Sequence, residues 1–355
     1  MIIDRADTIK PLCYDGPRME NAGRQDRRIV LGVDIGGTTI TISLCRESTD
    51  EVPELIGRTA IPTREVDDAS AARRALAGAA IRLLDEHGVR PDCCGITCGG
   101  PLDPVKGHIL SPPNLPPWGS LPVVAMMEDA LGVPARLLND ADAGALVEWR
   151  YGAGVGCRHL IFVTHGSGFG AGIILNGALY QGTGQAGEIG HVRLERLGPI
   201  GYGKAGSIEG FCSGGGIAQL AQYAATERYQ RGQTVAFCSG PCEVHLIRAE
   251  DAARAAAAGD ETARGVFDLA GEYLGRALAL LVDVFAPERI VLGAVYQRSQ
   301  ALLEPGMRRV LEQEALASSL GACAIVPARF TSELRYLAAF AAALSPPAGQ
   351  EVSHE

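Results

Sequence analysis

One pattern occurs twice in this chain. Residues 29–45 (IVLGVDIGGTTITISLC) run apolar, break on a glycine pair and turn apolar again, and residues 159–179 (HLIFVTHGSGFGAGIILNGAL) repeat the plan at lower similarity. A short apolar run bounded by glycines reads as a buried strand entering a tight turn. Two such strand–turn–strand units, far apart in sequence, predict two related α/β domains with a cleft between them. The chain has 355 residues, which is room for two domains of ordinary size.

The stretches between the units fit that plan. A strand is expected at 54–63, a helix with a glycine stop at 69–88, a strand ending in glycines at 93–100 and a helix at 123–132. The segment 111–122 (SPPNLPPWGSLP) is too rich in proline for regular structure. A strand over 135–140 runs into a helix over 141–154. Further on, 208–229 begins as a loop and becomes a helix, 261–287 is a long helix ended by Pro287, and 288–295 is a strand with a glycine near its end. A final helix over 334–345 is apolar on too many sides to stand alone, so it should pack back onto the first domain. The expected division is therefore a small domain of 28–138 plus 334–345 and a larger one of 139–333. Residues 1–27 read as a loose arm and 346–355 as a disordered tail.

Composition removes several functional classes. A net charge of −9 disfavours nucleic acid and anionic membranes as partners. No apolar run is long enough to span a bilayer, and the first 27 residues lack a signal-peptide core. The ten cysteines are scattered, which suits reduced thiols in a cytoplasmic protein better than a disulfide framework.

Two glycine turns carry phosphate-type chemistry. In DIGGTT (34–39), Gly36 and Gly37 free backbone N–H groups to cradle phosphate, Thr38 and Thr39 add hydroxyls, and Asp34 could hold a Mg²⁺ ion. In THGSGFGAG (164–172), Thr164, Gly166, Ser167 and Gly168 offer the same. Either turn alone reads equally well as an ordinary glycine hairpin. In LLNDADAG (137–144), Asn139 and Asp140 end a strand, where side chains face the mouth of an α/β cleft. A carboxylate there can take a proton from an attacking hydroxyl, or it can simply cap the following helix, and Asp142 could carry the helix-start charge instead. Glu188, His191, Glu209 and Asn114 are side chains of the kind that pair with vicinal hydroxyls, and each also reads as a structural or solvated group.

Taken together, DIGGTT, GGPLDPVKGHILSPPNLPPW, LLNDADAGALVEWRYGAG, THGSGFGAGIILNGALYQGTGQAGEIGH and ERIVLGAV resemble the ROK family (repressors, open reading frames and kinases), in the family's order over residues 29–345. The resemblance implies an α/β, two-domain actin-like ATPase fold of the hexokinase, ribonuclease H-like type, with ATP in the interdomain cleft. It implies Asp140 as catalytic base and Asn114, Asn139, Glu188, His191 and Glu209 as sugar ligands, with Gly99 and Gly100 beside the sugar. Asp34, Gly36, Gly37, Thr38 and Thr39 match one phosphate loop and Thr164, Gly166, Ser167 and Gly168 the other, while Gly293 and Ala294 match the turn next to adenosine. The cofactors implied are ATP and Mg²⁺, and the assembly a homodimer or homotetramer.

Two departures stand out. The family commonly carries a C-x-C-G-x-x-G-C-x-E zinc motif, but here that stretch reads IGYGKAGSIE (200–209), with Ile200, Tyr202 and Ser207 at the cysteine positions. One imidazole does not make a structural zinc site, so no zinc is expected there. Cys238, Cys242 and His245, with Cys212 upstream, have spacings compatible with a metal but form no complete motif. Gly99 replaces the family's usual proline.

The sequence thus points to a kinase of a hexose or sugar-like polyol. Specialised alternatives are amino sugars (kanosamine, N-acetylmannosamine) or a C7-cyclitol of the valiolone type. The family also contains repressors, but fewer than 30 residues precede Ile29, too few for their winged helix-turn-helix. A sugar sensor without catalysis is the remaining alternative, and the presence of Asp140 argues against it.

Overall fold

The computed structural model describes residues 27–346 apart from Asp50 and Pro113. The expected arm and tail lie outside the described residues except for Arg27 and Pro346.

In the first half, β1 (Ile29–Ile35), β2 (Thr39–Arg46) and β3 (Glu54–Pro62) form an antiparallel meander. Helix α1 (Ala69–His87) leads to β4 (Cys93–Cys98), which pairs parallel with β1. The α1 stop is as expected: Gly88 takes a left-handed φ of 62°, and its N–H caps the last carbonyls. A small sheet of β5 (Leu102–Asp103), β6 (His108–Leu110) and β7 (Ser120–Leu121) follows. It is a correction to the proline-rich segment, whose last residues do pair. Then α2 (Val123–Leu131) leads to β8 (Ala135–Asn139), parallel to β4, and α3 (Asp140–Tyr151) leaves the sheet.

The second half repeats this. β9 (Leu160–Val163), β10 (Ala171–Leu175) and β11 (Ala178–Tyr180) form the meander. A hairpin of β12 (Ile200–Gly201) and β13 (Lys204–Ala205) precedes α4 (Ile208–Cys212), α5 (Gly214–Gln230), α6 (Ala249–Ala257) and α7 (Glu261–Phe285). The expected loop at 208 is thus a short helix, capped by Ser207, whose hydroxyl accepts from Gly210 N–H. β14 (Arg289–Leu292) pairs parallel with β9, α8 (Ala294–Glu314) and α9 (Ala317–Ala322) follow, β15 (Ala324–Pro327) pairs parallel with β14, and α10 (Leu334–Ala343) closes the fold.

The two sheets have the orders β3-β2-β1-β4-β8 and β11-β10-β9-β14-β15, which is the same topology twice. The twofold pattern of the sequence is therefore a twofold pattern of structure.

Helices α3 and α10 cross over. Helix α3 follows the first sheet but packs on β9 and β10, while α10 follows the second sheet but packs on β1 and β4. Glycines make both contacts possible. A Cβ on Gly95 of β4 would lie 1.9 Å from Ala339 O, and one on Gly172 of β10 would lie 2.2 Å from Ala141 O. Buried Glu148 ties the two helices' neighbourhoods together: its carboxylate accepts from Ala153 N–H (2.8 Å), Arg329 N–H (3.0 Å) and Phe330 N–H (3.0 Å).

Candidate active site

The site begins at the end of β8. Asn139 ends the strand, and its Oδ1 accepts from Ala141 N–H (2.8 Å), so Asn139 is the N-cap of α3. Asp140 is left as the first helical residue, with its side chain open to solvent. The capping role that competed for Asp140 therefore belongs to its neighbour. Enough protein crowds this carboxyl to raise its pKa by desolvation even though water reaches it.

Carboxylates from both halves flank it. Asp34, near the end of β1, accepts from Thr97 Oγ1 at 3.0 Å, and desolvation pushes its pKa up to about 6, with the negative charge of Asp140 adding to the rise. Glu188 approaches from the other half; burial raises its pKa, a rise that His191 opposes and that Asp140 and Glu209 reinforce. His191 Nε2 lies 3.8 Å from Glu188 Oε2. A Cβ on Gly99 would stand 3.9 Å from Asp140 Oδ2, and one on Gly100 would stand 3.4 Å from Glu188 Oε1 and 3.7 Å from Asn139 Nδ2. These glycines leave room between the acidic groups.

The stretch bearing Glu188 and His191 is held by close backbone approach. Gly187, at a φ of 90°, could not carry a Cβ, which would fall 1.7 Å from Ala171 O. Its carbonyl accepts from Ala171 N–H (2.8 Å). Glu209, on α4, accepts from Phe169 N–H at 3.1 Å and lies 3.0 Å from where a Cβ on Gly168 would be, which joins it to the second glycine turn.

The first turn is closed by Gly36 N–H donating to Thr39 O (3.2 Å) and braced by buried Thr63, whose hydroxyl donates to Gly36 O (2.6 Å). Gly37 and Thr38 are exposed, and Thr39 begins β2. Asn114 is exposed, and its carbonyl oxygen lies 2.8 Å from where a Cβ on Gly37 would be. It thus sits beside the phosphate-type turn.

In the second turn Thr164 N–H donates to Gly170 O (2.9 Å) and Gly166 N–H to Gly168 O (3.0 Å), leaving Ser167 exposed. Gly293, which precedes Ala294 at the start of α8, donates to Val163 O (2.9 Å). The N-terminus of α5 abuts this turn, because Gly214 N–H donates to Gly166 O (2.8 Å). A helix N-terminus beside a glycine turn favours an anion.

Several contributors were not singled out from sequence. Thr63, Thr97 and Gln181, whose Nε2 donates to Asp142 Oδ2 (3.1 Å), act through tertiary contacts. Asp142 itself is buried, and desolvation pushes its pKa up to about 7. The Ser213–Gly214–Gly215–Gly216 start of α5 did carry a signal, since serine ahead of a helix is a capping residue.

The rival metal cluster does not assemble. Cys212 is buried at the end of α4, Cys238 Sγ–H donates to Gly240 O (3.2 Å), and Cys242 is exposed. Among the described residues, no group of three or more His, Cys, Asp or Glu side chains is disposed to hold a metal ion. Among them, too, no helix is long and apolar enough to cross a membrane.

Comparison with known proteins bears on the family and the fold. The ROK family model matches residues 30–344. A glucokinase of Halalkalibacterium halodurans is 33% identical over 286 residues, covering 78% of this chain and 84% of the relative. The crystal structure of a ROK family glucokinase from Streptomyces griseus in complex with glucose and AMPPNP superposes with a TM-score of 0.72 at 26% identity, over 88% of this chain and 98% of that one. A ROK family transcriptional regulator, homologous to the E. coli MLC protein, superposes with a TM-score of 0.75 at 26% identity, over 88% of this chain and 76% of that one. The α/β, two-domain actin-like ATPase fold is the one observed, and the chain belongs to the ROK family.

Proposed function

We propose that this chain is an ATP-dependent sugar kinase that transfers the γ-phosphate to a hydroxyl of a hexose or sugar-like polyol, with Asp140 as general base. One observation carries the reading: a single solvent-open carboxylate at the head of α3 is flanked by Asp34 from the first sheet and Glu188 from the other half. The kinases among the relatives support the same reading.

In this mechanism the acceptor oxygen forms a bond to the γ-phosphorus as its proton passes to Asp140, and the bond to the ADP oxygen breaks. Desolvation raises the carboxyl pKa, which makes the Asp140 carboxylate a stronger base than a fully solvated one. Glu188, Glu209, Asn139 and His191 are assigned to the acceptor's hydroxyls, with Gly99 and Gly100 leaving space for its ring, and Asn114 closing from the rim. The turns 36–39 and 164–168 are assigned to the phosphates, and Gly293 and Ala294 to the adenosine side. Asp34 suits a Mg²⁺ ion, because a partly desolvated carboxylate is relieved by a cation and Mg²⁺ takes its remaining ligands from phosphate and water. Bound there, the ion would offset charge on the phosphates. The division into 28–138 plus 334–345 and 139–333 belongs to the same proposal, and the packing of α10 on β1 and β4 supports it.

The test is a panel of acceptors (glucose, mannose, kanosamine, N-acetylmannosamine and a valiolone) coupled to ADP release. Phosphorylation of at least one acceptor is expected. Failure on every sugar and cyclitol, with intact folding and ATP present, would overturn the proposal.

A further inference from the structure

In and beside the hairpin of β12 and β13, Ile200, Tyr202 and Ser207 each make a different link to the surrounding fold. Ile200 is pinned to α5 through its backbone: its N–H donates to Gln219 Oε1 (2.9 Å), and Gln219 Nε2 donates back to Ile200 O (2.9 Å). Ser207 Oγ accepts from Gly210 N–H (3.1 Å) and donates to Lys204 O (3.1 Å), so it joins the hairpin to the helix that bears Glu209. Tyr202 sets its ring edge-on to His191, with centroids 4.7 Å apart and an interplanar angle of 85°. Lys204 Nζ donates to His191 O at 2.7 Å.

The backbone points the same way. The hairpin turns through Tyr202 at a φ of 46° and Gly203 at a φ of 73°. A turn with two left-handed residues ordinarily takes Asn-Gly or Gly-Gly, and a bulky aromatic there is strained. Strain of this kind persists only where the surroundings enforce it, and it marks a constrained side chain. Here the half-exposed ring lies against the imidazole of His191. Gly201 lets the hairpin lie tight on α4, since a Cβ there would meet Gly210 N at 2.5 Å and Glu209 Cβ at 2.7 Å.

We infer that Tyr202 and Lys204 are positioning residues that hold His191 toward the acceptor. The ring fixes the imidazole's face, and the ammonium fixes the backbone that carries it. This inference rests on the reading of His191 as an acceptor ligand, and the experiment separates the two.

Steady-state kinetics of the full chain, with the acceptor found in the panel, provides the test. Tyr202→Ala and Lys204→Met are expected to raise the acceptor KM about tenfold or more, the usual cost of losing a group that orients a ligand side chain. The KM for ATP and the melting temperature should stay near wild type. Tyr202→Phe and Lys204→Arg, which keep the ring and the cation, should restore the acceptor KM. The purified protein should hold less than one zinc per chain, and EDTA should leave the acceptor KM unchanged in an assay replenished with Mg²⁺. The inference is overturned by stoichiometric zinc whose removal raises the acceptor KM. It is also overturned if His191→Asn raises that KM while Tyr202→Ala and Lys204→Met do not. If His191→Asn itself leaves the acceptor KM unchanged, the assignment of His191 fails and the clamp falls with it.

Discussion

Thr97 and Asp34 are register partners on adjacent parallel strands, and the buried Thr97 hydroxyl donates to Asp34 Oδ1 at 3.0 Å. That bond favours the ionised form and opposes the desolvation that lifts Asp34 to about 6. Phosphotransfer should therefore fall as pH drops through about 6, because protonated Asp34 no longer favours a cation. Removing the bond in Thr97→Val should move that acid limb to higher pH. The pH dependence of kcat/KM for MgATP is the measurement, and an unmoved limb would refute the role given to Asp34.

Asp34 also makes a stability prediction. Its folded pKa lies above the ordinary value of 3.8, so between 3.8 and about 6 the folded chain binds more protons than the unfolded one. The resulting destabilisation grows across that window and is complete above it. Asp34→Asn removes the charge, so it should melt higher than wild type at pH 8 with little difference at pH 3.5, while losing activity. Thermal melts at the two pH values give the answer.

Asp140→Asn keeps the size of the side chain and leaves the Asn139 cap in place. Loss of a general base typically costs about 10²–10⁴ in rate, so kcat should fall by that amount with acceptor binding retained. A folded variant with near-full turnover would remove Asp140 from the chemistry.

Glu148→Leu should destabilise the protein strongly. The carboxylate is fully buried and satisfies three backbone N–H groups from two segments. Buried donors left unpaired cost roughly 1–3 kcal/mol each. Urea unfolding should show a loss of at least about 2 kcal/mol, and a smaller change would mean that water replaces the lost acceptor.

Gly95→Ala tests the helix crossover. An added Cβ would lie 1.9 Å from Ala339 O and 2.5 Å from Ala343 N, both backbone atoms that cannot swing aside. Overpacking of this kind costs about 1–3 kcal/mol, and chemical unfolding should report it with the m-value unchanged.

Local patterns made much of this fold readable. The apolar runs that end in glycine became β1, β4 and β9, and the glycine after α1 took the left-handed cap its position suggested. No element is legible in the sequence over 296–333, yet α8 fills half of that stretch and α9 and β15 lie in the rest. Pro305 and Gly306 lie inside α8 and Ser299 leaves helical geometry, so no clean period survives. The helix holds because Gly306 meets α7 closely, where a Cβ would lie 2.5 Å from Asp268 O, and Gly271 of α7 meets Leu303 in return. Within the candidate site, the place of Asp140 where β8 passes into α3 was legible because it is local. Thr63, Thr97 and Gln181 were not, because each acts on a residue at least 27 positions away.

The exchanged helices have a consequence for how the chain matures. During synthesis β1 and β4 emerge early, yet the face that meets Ala339 and Phe340 stays bare until α10 has been made. The first sheet thus waits for nearly the whole polypeptide before its interior is sealed. A ribosome-bound nascent chain stalled before Leu334 would present that greasy surface to chaperones, and release of α10 would bury it.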